Sequence, residues 1–155
     1  MEQITVREAN ELDSRDLWEW RNNPVVRKEF FDPMPVSWEG HQKWFNVAIA
    51  NPKTRIYMAQ IGDAKIGVIR FEIESEIAKV SVNLNPDYFG KHLGSKIIKL
   101  GTEKLFNEMN RAKSVLAEIK SSNLGSQKAF ANAGYELREQ SKDLVLYKIV
   151  RRNEK

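Results

Sequence analysis

Val80-Ser81-Val82-Asn83-Leu84-Asn85-Pro86-Asp87-Tyr88-Phe89-Gly90-Lys91-His92-Leu93-Gly94-Ser95-Lys96-Ile97-Ile98 changes period halfway along. Up to Leu84, the apolar residues Ala78, Val80, Val82 and Leu84 alternate with Lys79, Ser81 and Asn83, the period of a strand with one buried face. From Ile97 onward, Ile97, Ile98, Gly101, Leu105 and Met109 form one helical stripe, with Lys96, Lys99, Glu103, Lys104 and Glu108 turned to water. A loop of turn formers, with two glycines and a lysine, joins the two. Ser114 to Ile119 reads as the next strand. Strand, loop, helix and strand over residues 80–119 predict a right-handed crossover between parallel strands.

Working outward, Ile56 to Ile61 and Lys65 to Ile73 are two further strands, separated by the turn signal Gly62-Asp63. With Ala78 to Leu84 they form an antiparallel meander. Upstream, Ile4, Val6 and Ala9 suggest a first strand ending at Asn10. Asp13 is placed to cap a helix through Leu17, Trp18 and Arg21, stopped by Asn22-Asn23-Pro24. Ser37 is placed to cap a second helix with Trp38, His41, Trp44, Phe45 and Ala48 at helical spacing. Downstream, Asn123 opens a helix from Leu124 to Ala133, Gly134 occupies its left-handed C-terminal position, and Leu144 to Val150 is the last strand. The expected fold class is α/β of the α+β kind: one mixed, mostly antiparallel sheet with helices on both faces, in a single domain over residues 1–155.

The chain has 155 residues, enough to bury a core without staples. It has no cysteine, which excludes disulfides, thiolate metal sites and a cysteine nucleophile, and fits a cytoplasmic location. No apolar run reaches the roughly 20 residues of a membrane span, and Met1 to Glu8 shows no secretory pattern. Neither a membrane nor a metal is expected as a partner. The net charge of +4 comes from Lys and Arg scattered among Asp and Glu. Its densest cluster, Lys148 to Lys155, reads as a solvated tail rather than a nucleic-acid arm, so no nucleic acid is expected either.

The loop from Gly90 through Lys91, His92, Leu93 and Gly94 to Ser95 carries the chemistry. Backbone N–H groups at a helix start bind anions, glycine lets the main chain approach phosphate oxygens, and Lys91 adds a point charge. The loop follows a meander and lacks a Gly-Lys-Ser/Thr run, which makes the dinucleotide and triphosphate loops a poor fit. Two glycines in a loop also serve plain turn geometry, and His92 reads equally as a phosphate contact or an exposed loop histidine.

Pro86 to Ile98 resembles the acyl-CoA loop of the GNAT acetyltransferase superfamily, with Gly90, Lys91, Leu93 and Gly94 matching. Phe89 stands where the family has Arg or Gln, and His92 replaces a glycine. Asn123-Leu124-Gly125-Ser126-Gln127-Lys128-Ala129-Phe130-Ala131-Asn132-Ala133-Gly134-Tyr135 resembles the family's later segment, in which Asn caps a helix beside the thioester. The resemblance implies a GNAT-like fold with a splayed pair of parallel strands, and acetyl-CoA as cosubstrate. It also implies direct acetyl transfer to a primary amine of a small molecule. The cofactor would lie along Val82 and Leu84 and meet Gly90 to Ser95, Asn123, Ser126 and Phe130. Phe130 falls where many relatives carry the tyrosine that protonates the thiolate, which leaves Tyr88, Tyr147, water or no acid at all for that task.

Glu118, at the end of its strand, is the candidate base; Asn123 and Ser81 complete the candidate catalytic set. Ser81 and Asn83 either relay a proton, hold substrate or simply face outward. The N-terminal third, with Trp20-Arg21-Asn22-Asn23-Pro24, Arg27, Ser37 and His41-x-x-Trp44, is similar to GNAT enzymes of the pseudaminic acid pathway, which acetylate the 4-amino group of a UDP-linked dideoxy sugar. Arg21, Arg27 and Arg70 are placed to meet a diphosphate and Trp44 to stack on a ring, with Asn22, His41 and Asn83 completing the substrate set. The alternatives are a protein N-terminal or amino-acid acetyltransferase, and a non-catalytic CoA-binding module. A monomer or a homodimer is equally compatible with the sequence.

Overall fold

A computed structural model describes residues 3–152. Seven strands form one sheet: β1 (Ile4–Glu8), β2 (Thr54–Ile61), β3 (Ala64–Glu74), β4 (Ile77–Leu84), β5 (Ser114–Lys120), β6 (Glu136–Gln140) and β7 (Leu144–Val150). The helices are α1 (Ser14–Asn22), the single turn α2 (Pro24–Arg27), α3 (Trp38–Ala50), α4 (Gly94–Glu108) and α5 (Leu124–Asn132). The strand order is β1-β2-β3-β4-β5-β7-β6. All neighbours are antiparallel except β4 and β5. That parallel pair holds only from Ile77–Lys79 on β4 to Ser114–Leu116 on β5. Beyond Lys79 and Leu116 the two strands part, so the sheet opens into a V while β4 stays paired to β3 as far as Leu84.

Alternation along the strands sends neighbours to opposite faces. Tyr57, Ala59, Ile69, Phe71, Val80, Val115 and Ala117 pack beneath Ile97, Ile98 and Leu105 of α4 and Phe130 of α5. Ile56, Met58 and Val68 meet Leu17 and Trp20 of α1 and Phe45 and Ala48 of α3. Gly101 lets α4 lie close on β3: a Cβ there would stand 2.7 Å from Ile69 Cγ2.

Three local expectations change. Asp13 heads α1 without capping it; the cap belongs to the preceding turn, where Asn10 Oδ1 accepts from Leu12 N at 2.9 Å. The Asp13 carboxylate is instead fully buried, accepting from Arg7 at 2.8 and 2.9 Å and lying 2.8 Å from Lys65 Nζ. Strand β6 has no counterpart in the sequence reading, because all five of its residues are exposed and the apolar alternation is missing. The basic tail is anchored at its root. Arg151 donates to the carbonyls of Phe106, Met109 and Ala112 at 2.8, 2.7 and 2.8 Å, closing the C-terminal end of α4. Its last residues, 153–155, lie outside the described residues, as do 1 and 2 at the other end.

Candidate active site

The opening between β4 and β5 is a cleft of about 620 Å³. One wall comes from the α4–α5 side. Val82 and Leu84 on β4 line it, with no β5 partner for their outer backbone groups. Gly94 at the start of α4, and Asn123, Ser126 and Phe130 at α5, line it as well. Asn123 Oδ1 accepts from Ser126 N at 3.0 Å, which caps α5 and fixes the helix end toward the gap. Phe130 is buried, edge-on to Tyr135 at 5.0 Å between ring centroids.

At the outer end of this wall runs the glycine loop. Asn85 anchors its root, donating through its side chain to Lys65 O and through its backbone to Ile66 O, both at 2.9 Å. Gly90 and His92 both take left-handed backbone angles, φ +75° and +58°. Among the described residues, the N–H groups of residues 90–95 make no hydrogen bond to the protein. The first helical bond of α4 is Ile97 N to Leu93 O, at 3.1 Å. Six free amides at a helix start, in a loop whose residues are exposed or half-buried, suit a diphosphate. Gly94 reaches the cleft itself, while Gly90, Lys91, His92, Leu93 and Ser95 stand outside its lining.

The other wall comes from the α1–α3 side. Arg21, His41, Trp44, Arg70, Ser81, Asn83 and Glu118 line it together. The Arg21 guanidinium lies 4.9 Å from the Phe30 ring centre, and its Nη1 is buried without a partner. Burial lowers its pKa, opposed by the charge of Asp32. Arg70 sits 5.0 Å over the Trp44 ring, with Nε 3.3 Å from Glu72 and Nη2 3.4 Å from Ser81 Oγ. Burial lowers the Arg70 pKa too; Glu72 opposes that and the charge of Arg21 adds to it. His41 is buried among Trp38, Trp44 and Phe45 at 5.7–5.8 Å, with Nε2 unpartnered. Burial lowers its pKa, against a bond to the Ser14 backbone, and the nearby Arg21 pushes the same way as burial. Glu118 Oε1 lies 3.0 Å from Lys79 Nζ, where the strands begin to part.

The structure brings most of the expected residues to one cleft; besides the five loop residues outside its lining, it leaves Asn22 and Arg27 aside. Asn22 exchanges two side-chain bonds with the backbone of Val36, at 2.8 and 2.9 Å. Arg27 donates to Asn22 O at 3.0 Å and Pro33 O at 3.4 Å. Both therefore hold the segment before α3 in place instead of facing the cleft. Tyr88 and Tyr147 pack against the α4-side core and do not line the cleft either. Sequence reasoning missed the wall formed by Lys28 to Asp32 and the Lys79 contact of Glu118. The parallel register of β4 on β5 was the signal for the contact, since it sets Lys79 beside Leu116, two residues before Glu118. No cluster of three metal-ligating side chains occurs among the described residues. None of the helices among them is long and apolar enough to cross a membrane.

Residues 3–136 match the family model of the acetyltransferase (GNAT) domain. The chain belongs to this family, the acetyltransferase (GNAT) domains. Among solved structures, it is similar to spermidine N-acetyltransferase from Vibrio cholerae in complex with CoA and spermine. That match has a TM-score of 0.85 and 17% identity over 96% of this chain and 95% of that one. It also resembles the aminoglycoside acetyltransferase AAC(6')-Ib in complex with coenzyme A and kanamycin, with TM-score 0.80 and 18% identity over 96% and 95%. An uncharacterized protein of Methanocaldococcus jannaschii, MJ1062, is 25% identical over 138 residues. The match takes in 86% of this chain, which spans only 28% of that protein's length.

Proposed function

We propose that this domain acetylates a primary amine on a small, phosphate-bearing acceptor, of the class of UDP-linked amino sugars. The observation that carries the reading is the pair Arg21 and Arg70 in the acceptor wall. One guanidinium nitrogen of Arg21 is buried with no partner, and burial disfavours the charge on both groups. A buried cation left so incompletely paired costs stability in the free protein. A bidentate anionic ligand offsets that cost and gains charge-assisted bonds. Polyamines and aminoglycosides are polycations and would meet Arg21 and Arg70 with like charge, while Glu29, Asp32 and Glu118 line the same cleft.

The free amides of residues 90–95 would hold the diphosphate of CoA. The unpaired edges of β4 and β5 would receive the pantetheine arm. Bound acetyl-CoA supplies the thioester carbonyl and a thiolate leaving group. Arg21 and Arg70 orient the acceptor so that its amine enters beside Glu118. Glu118 takes a proton from the acceptor ammonium, directly or through water, freeing the nitrogen lone pair. The C–N bond forms as the C–S bond breaks. Phe130 has no proton to give, so the thiolate takes up, directly or through water, the proton that the acetylated nitrogen sheds. Holding both reactants in one cleft supplies much of the rate.

A thiol-release assay with acetyl-CoA tests the reading against UDP-amino sugars, spermidine, kanamycin and N-terminal peptides. Turnover on the nucleotide sugars above all others is expected, and turnover confined to the polycations or peptides would overturn it. Glu118→Gln should lower kcat by about 100-fold, the scale of general base catalysis, with CoA affinity unchanged. Full activity in that variant removes Glu118 from the role.

A further inference from the structure

A second groove adjoins the cleft. It has a volume of about 710 Å³ and runs between the C-terminal half of α3 and the β3, β4 and β5 strands. Val47, Ala48, Ile77 and Leu116 give it an apolar floor and lip, and Asn51, Thr54, Lys53 and Glu74 give it polar edges. Val47 and Ile77 are exposed there, at 69% and 43%.

The groove and the cleft share one wall, Trp44, which lines both. Two ion pairs cross the same boundary: Arg70 of the cleft holds Glu72 of the groove at 3.3 Å, and Glu118 of the cleft holds Lys79 of the groove at 3.0 Å. Arg70 lies on the Trp44 ring at this seam. A ligand whose anionic group sits on Arg70 therefore has, immediately past Trp44, an apolar slot with hydrogen-bonding groups at its edge. That combination suits a flat heterocycle, which wants apolar faces and polar rim partners.

We infer that this groove is the base subsite of the acceptor: the amino sugar enters the cleft, the diphosphate lies at Arg21 and Arg70, and the nucleobase lies beyond Trp44 in the groove. The assignment rests on the acceptor class proposed above and adds where its base goes. It makes Val47 and Ile77 specificity residues far from the acetyl group.

The test is titration calorimetry at saturating CoA, with UDP and inorganic pyrophosphate as probes. Wild-type protein should bind UDP at least tenfold more tightly than pyrophosphate. The neutral double variant Val47→Ser, Ile77→Thr should lose that margin while keeping its affinity for pyrophosphate and CoA. Equal affinity for the two probes in the wild type, or an unchanged margin in the variant, overturns the base subsite. A wild-type dimer that the variant dissolves, with UDP binding unaltered, assigns the groove to a second copy of the chain and also overturns it. Failure of the acceptor class reads out differently: pyrophosphate binding would then be indifferent to Arg21→Met and Arg70→Met.

Discussion

The two faces of the sheet differ in what they leave unpaired. Beneath α4 and α5, the buried side chains are almost all apolar; the hydroxyls of Thr102 and Tyr135 close on each other at 2.8 Å, and that of Tyr57 bonds Glu108 at 2.7 Å. Beneath α1 and α3, the apolar cluster is smaller, and three of the four buried polar atoms without partners among the described residues lie there, Arg21 Nη1, His41 Nε2 and Ser14 Oγ; the fourth, Arg55 Nε, is on the α4 side, 3.9 Å from Glu108. A buried polar atom without a bond costs free energy, so such atoms collect where something other than the fold keeps them. On the function proposed above, the α4 face holds a ligand on backbone amides, and the α1–α3 face gives up stability to recognise an acceptor.

The contrast is sharpest in truncations. Ile69 is fully buried beneath α4, against Gly101. Ile69→Ala should cost roughly 2–5 kcal/mol in urea unfolding. A cost as small as that of a surface change would mean that the α4 face is not the tight one. Gly94→Trp on the same side should abolish CoA binding, because Gly94 lines the cleft and an indole there would occupy it. Unchanged affinity by calorimetry would take the loop out of the site.

Asp13 separates a structural charge from a functional one on the poorer face. Its burial favours the neutral acid, but bonds from Arg7, Lys65 and the Asn10 amide outweigh burial and bring its pKa down from 3.8 to about 2. A carboxylate with a folded pKa below its unfolded one stabilises the fold above the unfolded value. That stability is lost as pH falls through the folded one. Roughly 2.5 kcal/mol should therefore disappear between about pH 4 and pH 2, and Asp13→Asn should flatten this part of the stability curve. An unchanged slope in the variant would mean the loss comes from other carboxylates.

Arg21 should behave in the opposite sense. It makes no ion pair within 4 Å, and Asp32 acts on it only at longer range, so Arg21→Met is expected to leave the melting temperature unchanged or to raise it, by up to about 1 kcal/mol of stability. The acceptor KM should rise 10- to 100-fold at the same time, the loss of a charge-assisted contact. A large loss of stability with unchanged KM would move Arg21 from recognition to structure, and with it the reading of this face.

The same difference explains what was legible in the sequence. The meander, the crossover and both α4 and α5 follow from periods and caps, because apolar alternation is what the α4 face is made of. Ser37 and Asn123 cap as read, at 3.0 Å each. On the acceptor face, Arg21, His41, Trp44, Arg70 and Glu118 converge as a set, but Asn22 and Arg27 looked equally suitable and turn to backbone carbonyls. Side-chain type does not say whether a neighbouring loop will supply the partner first. Asp13 was misread for the same reason: a cap position two residues after Glu11 does not reveal that Arg7 and Lys65 close over it from β1 and β3.

The smallest effect lies in the loop that serves the richer face. His92 holds φ +58°, a left-handed angle that glycine adopts freely and histidine does not. His92 is exposed and has no side-chain hydrogen bond among the described residues, so nothing on the protein repays that angle. His92→Gly relieves a few tenths to about 1 kcal/mol of local strain, partly offset by the extra freedom glycine has in the unfolded chain. The melting temperature should therefore rise slightly or stay level, with CoA affinity kept, because the loop offers backbone N–H groups and glycine supplies one as well. A fall in CoA affinity of tenfold or more would show that the imidazole itself reaches the phosphates. That result would turn a backbone site into a side-chain one, and bring the donor wall closer in kind to the acceptor wall opposite.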